Sequence, residues 1–102
     1  MDLQQAKMQL TAIRDNLPPD HSMSGARKLM SSFENYKQIS RGLGRDLPRL
    51  KLGIRSDFDD IEQQIKSAIM GTPKKEADSS FGQAKKNITE DINKIIAVNI
   101  PE

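Results

Sequence analysis

Residues 41–55 read RGLGRDLPRLKLGIR, and the fold turns on whether this stretch is a phosphate loop, a binding arm or a junction between helices. It holds five basic residues, Arg41, Arg45, Arg49, Lys51 and Arg55, against one acid, Asp46. Gly42 and Gly44 stand where a helix C-cap is expected, and Pro48 stands where a following helix has its first turn. The phosphate-cradling pattern, a strand followed by a glycine-rich run ending in Gly-Lys-Ser or Gly-Lys-Thr, is absent. The stretch therefore reads first as a helix-to-helix turn, with an unusual density of positive charge.

Outward from this turn, apolar residues recur at helical spacing on both sides. Upstream, Leu3, Ala6, Leu10, Ile13 and Leu17 form one stripe, stopped by Pro18 and Pro19. A second stripe, capped by Ser22 or Ser24, runs through Ala26, Leu29, Met30, Phe33, Tyr36, Ile39 and Leu43 toward the two glycines. Downstream, a third helix is expected from Leu47 or Pro48 to about Met70, with Leu50, Ile54, Phe58, Ile61, Ile65, Ala68 and Ile69 on one face. Gly53 bends it, or Ser56 caps a fresh start. Residues 71–80, GTPKKEADSS, have the composition of a loop, and a fourth stripe follows through Phe81, Ala84, Ile88, Ile92, Ile95 and Ile96. Four amphipathic segments without alternating strand patterns predict an all-α, antiparallel four-helix bundle. We expect one domain over residues 1–102, with a short tail at 97–102 free to fray.

Composition narrows the chemistry. A chain of 102 residues supports one small core. With no cysteine there is no disulfide and no thiolate metal site, and the single histidine, His21, sits in a PPDHS turn without ligands nearby in sequence, so no metal or other cofactor is expected. The opening MDLQQAKMQL lacks the basic start and apolar run of a signal peptide, and no long apolar run occurs, which points to a cytoplasmic protein. The net charge of +2 is too balanced by itself to demand a nucleic-acid partner. Its distribution is uneven: residues 23–55 carry eight basic and two acidic groups, and residues 56–72 carry one basic and four acidic. Opposite blocks on successive helices can pair with each other.

No catalytic constellation is visible, so an enzyme is not expected. His21 has no nucleophile or acid companion in its local sequence, and the serines fall mostly in turn or cap settings. The carboxylates Asp57, Asp59, Asp60 and Glu62 lack the glycine and distal glutamate of a calcium loop and suit the positive end of a helix dipole. Met8, Met23, Met30 and Met70 lie on or beside the stripes, where such residues either make an adaptable binding groove or, more often, fill the core. Phe33, Tyr36, Phe58 and Phe81 fall at positions expected to be buried, which makes them poor base-stacking platforms and speaks against single-stranded nucleic acid. Arg41, Arg45, Arg49, Lys51 and Arg55, with Arg27, Lys28 and Lys37 before them, remain as a surface for anionic lipid or phosphate. One function class that follows is a small helical regulator binding nucleic acid or a partner protein through the basic segment 37–55.

A second class comes from a resemblance. Residues 33–51, FENYKQISRGLGRDLPRLK, lead into residues 52–69, LGIRSDFDDIEQQIKSAI. This passage resembles the immunity proteins of class IIa, or pediocin-like, bacteriocins, the enterocin A immunity-like family. There too a Tyr-containing helix passes through a turn to a Pro-Leu-like helix start, an Arg, and an apolar helix with an Ile-x-x-Ala-Ile type ending. Tyr36, Pro48, Arg55, Ile61, Ile65, Ala68 and Ile69 hold those places here, with Arg49 interposed between Pro48 and Leu50. The resemblance implies a four-helix protein that protects its producer without catalysis. It would act from inside the cell, at the inner membrane face, on mannose phosphotransferase components engaged by the bacteriocin. It also implies an orienting role for Arg41, Arg45, Arg49, Lys51 and Arg55, and a specificity role for the C-terminal Ile95, Ile96, Val98 and Ile100.

Overall fold

The computed structural model describes residues 2–19, 21–46, 58–71 and 73–97. They form four helices in an all-α bundle: α1 (Leu3–Asp15), α2 (Met23–Asp46), α3 (Phe58–Met70) and α4 (Lys74–Ile96). Cross-helix contacts fix the directions. As the chain runs from Arg14 through Pro19 to His21, its partners on α4 fall in number from Asn93 through Lys85 to Asp78. Asn87 of α4 bonds Gln64 of α3, and Phe58 at the start of α3 meets Tyr36 while Ala68 near its end meets His21 before α2. Neighbouring helices are thus antiparallel, and the long helices α2 and α4 run in the same direction.

The two short helices sit at opposite ends of the long pair. α1 has 13 residues against 24 in α2, and its Gln9, Ala12 and Ile13 face Asn35, Gln38 and Ile39, so the rest of it lies along the C-terminal half of α2. α3, also 13 residues, lies along the N-terminal half.

The stripes read from the sequence become the core. Ala6, Leu10, Ala26, Leu29, Phe33, Tyr36, Leu43, Ile61, Ile65, Ala84, Ile88, Ile92 and Ile95 have no exposed surface, and Leu3, Ile13, Leu17, Met30, Ile69 and Ile96 pack on them half-buried. Leu50 and Ile54 lie outside the described residues. Two caps follow the sequence rule that a short polar side chain satisfies an orphan helix donor. Asp2 Oδ1 accepts from Gln5 N at 2.7 Å, and Ser22 Oγ from Gly25 N at 2.9 Å.

Four local expectations are corrected. Leu17 contributes to the core from beyond the end of α1, which stops at Asp15. Met8, Met23 and Met70 do not fill the core: they are exposed, at 70%, 52% and 73%. Residues 74–80 are the first turns of α4, not loop, because Ala77 and Phe81 extend the buried stripe backward and Pro73 supplies an extended start at φ −65° and ψ 144°. Gly42 and Gly44 do not end α2, which continues to Asp46, because Leu43 between them is completely buried. Core packing there outweighs the roughly 1 kcal/mol that each helical glycine costs.

A glycine in a different turn shows the contrast. Gly71, after α3, has φ 74°, a backbone that only glycine adopts freely, and it is the only described residue of that kind. A Cβ added at Gly42 meets nothing within 4 Å. Gly42→Ala is therefore expected to raise stability by about 0.5–1 kcal/mol in urea unfolding. A loss of stability would mean that this residue ends the helix in a left-handed conformation.

Candidate functional site

The basic face of α2 is built by a spacing of four. Lys37, Arg41 and Arg45 succeed one another on adjacent turns and share one side of the helix. Lys37 Nζ lies 5.8 Å from the centre of the Phe33 ring, over its face, so its charge is held by a cation–π contact. Arg45 is 80% exposed and its Nε donates to Asp46 Oδ1 at 3.2 Å. Arg41 is exposed and has no ion-pair partner among the described residues.

Arg41 and Arg45, with Phe58 and Asp59 of α3, line a groove of about 490 Å³. The acidic start of α3 therefore faces the basic end of α2, as the opposed charge blocks suggest. Asp59 and Asp60 occupy the first turn of α3, where the helix dipole favours a negative charge, and Glu62 reaches Lys66 one turn on at 3.9 Å. The groove thus has two cations on one wall and a carboxylate on the other, a lining that can orient a polar, mixed-charge partner surface. Of the predicted basic set, the structure brings Arg41 and Arg45 together; Arg49, Lys51 and Arg55 lie outside the described residues.

The C-terminal set divides. Ile95 is a core residue with no exposed surface, so its side chain cannot touch a partner while the bundle is closed. Ile96 is half-buried at the edge of the same core, and Val98 and Ile100 lie outside the described residues. All four aromatic residues, Phe33, Tyr36, Phe58 and Phe81, are buried at 5% exposure or less, so none offers a face for stacking a base.

A second constellation lies at the opposite end of α2 and was not legible in the sequence. His21 Nδ1 meets the Asp78 carboxylate of α4, and Nε2 lies 2.9 Å from the Ala68 carbonyl of α3. Phe81 packs against the ring at 5.3 Å between centroids. With Pro19, Lys74, Gly82 and Lys85 these side chains line a depression of about 530 Å³. The hydrogen bond to Asp78, seconded by that to the Ala68 carbonyl, raises the His21 pKa above the ordinary 6.5, against the effects of burial and of Lys74. The partners lie 57 and 47 positions away in the chain, beyond any local motif.

Among the described residues no three His, Cys, Asp or Glu side chains converge as metal ligands, and no helix is long and apolar enough to cross a membrane. Compared with protein-family models, with curated proteins and with solved structures, the chain finds no match.

Proposed function

We propose that this chain is an immunity protein of the class IIa bacteriocin type, which shields its producer by binding at the bacteriocin-engaged membrane receptor without catalysis. The observation that carries the reading is how the resembling passage folds. Tyr36, Ile61, Ile65 and Ala68, four of the residues that hold the family's places, are buried in the bundle core on α2 and α3. Arg41 and Arg45, from the same passage, face outward beside Asp59. The apolar places of the passage thus serve to build a helix pair, and the pair displays charge on its outer side.

Such a surface acts by position. Two exposed guanidiniums near an anionic headgroup layer contribute on the order of 1 kcal/mol each, enough to orient a protein already held by a receptor and too little to anchor it alone. Arg41 is the stronger candidate for the orienting contact, since Arg45 already pairs with Asp46.

The test is growth of a bacteriocin-sensitive lactic acid bacterium that expresses the protein, challenged with a panel of pediocin-like peptides beside an empty-vector control. Selective survival against one or a few peptides is expected; no protection across the panel, with soluble protein present, overturns the reading. The double variant Arg41→Glu, Arg45→Glu is expected to lose most of the protection. Its unfolding free energy should stay within about 0.5 kcal/mol per site, as for other surface changes. Full protection by that variant would remove the basic face from the mechanism.

A further inference from the structure

We infer that His21 is a proton-operated latch: as the doubly protonated imidazolium it pins the connection between α1 and α2 across the α3–α4 corner, and loss of one proton loosens that end of the bundle. The inference is independent of the proposed function.

The geometry requires two donors on one ring. Nδ1 faces a carboxylate oxygen of Asp78 and Nε2 faces the carbonyl oxygen of Ala68, and neither oxygen can donate. A neutral imidazole has one N–H and one lone pair, so in either tautomer it satisfies one oxygen and turns a lone pair toward the other. Only the imidazolium serves both. It then joins three parts of the chain at once: the segment preceding α2, the last turn of α3 and the second turn of α4.

The surroundings explain why these two contacts matter. Ala68 is one of the last four residues of α3, whose carbonyls have no partner within the helix, and the C-terminal pole of the helix favours a cation. From α4 the ring is faced by Asp78, which favours the proton on the ring, and by Lys74, which opposes it; Lys85 lines the same depression and donates to the Pro19 carbonyl at 3.4 Å. α3 presents the Ala68 carbonyl. The sequence neighbour Asp20 lies outside the described residues. The His21 side chain is 15% exposed and that of Asp78 46%, so of the two contacts the one to the Ala68 carbonyl is the more sheltered.

The direction of the pH effect follows from linkage. The folded state holds the His21 proton more tightly than the unfolded chain does, since its pKa is raised from 6.5. The latch therefore stabilises fully below pH 6.5, and that contribution disappears as pH rises through the folded value. Every unit of difference multiplies the folding constant by about ten across this window. When the latch loosens, Phe81, now 4% exposed, loses the ring that packs against it.

Because the chain has one histidine and no cysteine, only the terminal amine shares this pH range, and the two can be separated. The experiment has two readouts. One follows the His21 ring proton by NMR titration in the wild type and in Asp78→Asn. The other compares urea unfolding of the wild type and His21→Gln between about pH 5 and about pH 9.

We expect His21 to titrate above 6.5 in the folded protein and to titrate lower in Asp78→Asn. The wild type should lose stability as pH rises through that value, while His21→Gln keeps only the slope of the terminal amine. Titration at or below 6.5, or parallel unfolding curves for the two proteins, overturns the latch. If His21→Gln does not fold, the NMR pair decides alone: an unchanged His21 titration in Asp78→Asn also overturns it.

Discussion

Phe33→Ala lowers the unfolding free energy by about 3–5 kcal/mol, the range for removing a buried aromatic ring and leaving a cavity. Phe33 has no exposed surface and is one corner of an aromatic triangle. Its ring lies 6.4 Å from Tyr36 and 6.2 Å from Phe58, the latter edge-on at 74°, and Tyr36 meets Phe58 edge-on at 5.6 Å and 85°. These are favourable quadrupole geometries. Phe33 also carries the Lys37 ammonium on its face.

The rest of the core has little freedom to collapse into the space, because Phe58 belongs to a different helix from Phe33 and Tyr36. A domain of 102 residues has a total stability of about 5–15 kcal/mol, so this one change removes a large share of it. Urea unfolding followed by far-ultraviolet circular dichroism measures the cost. A loss below about 1 kcal/mol, the level of a conservative core swap, would mean that the triangle is not packed.

Tyr36→Phe costs about 1–3 kcal/mol for a single oxygen atom. The Tyr36 hydroxyl donates to Asp91 Oδ2 at 3.2 Å, with Tyr36 completely buried and Asp91 2% exposed. The substitution keeps the ring and its two aromatic contacts, so the apolar packing is unchanged. What changes is the solvation of a carboxylate that water does not reach. Removing one partner of a buried polar pair takes away part of what offsets the other's desolvation, a cost larger than the net gain from an ordinary hydrogen bond.

The bond also joins α2 to α4 across the bundle, so it fixes their relative register as well as their separation. The double variant Tyr36→Phe, Asp91→Leu provides the check, since it replaces both partners of the bond with apolar groups. It should be less destabilised than the sum of its two single changes. Strict additivity would show that the two side chains do not act on each other.

The helix count was legible because every helix buries a stripe with the 3.6-residue period, and long stripes such as Leu29, Phe33, Tyr36 and Leu43 admit no other periodicity. Boundaries were less legible where local chemistry and tertiary packing disagree. KKEADSS has loop composition, and only Ala77 betrays that the buried face of α4 begins there. Gly42 and Gly44 look like a stop, and the burial of Leu43 overrides them.

The sites follow the same division. Arg41 and Arg45 could be placed on one surface from their spacing alone, since neighbours four apart on a helix share a face. Ile95 lay on the fourth apolar stripe, and its burial favours that reading over the surface role the resemblance implied. The partners of His21 are set by how α3 and α4 meet, and no pattern within the PPDHS turn contains them.

The staggering of α1 and α3 gives the two ends of the molecule different sensitivities. Around the C-terminal half of α2, α1 is held by apolar side chains such as Leu10 and Ile13. Attraction of that kind carries a large heat capacity and weakens on cooling. At the N-terminal end of α2 the chain is fastened by a histidine, a carboxylate, a lysine and two carbonyls. Contacts of that kind respond to added salt and have little of the same heat-capacity signature. Temperature thus acts along the whole core, whereas ionic strength acts in addition on the fastening before α2.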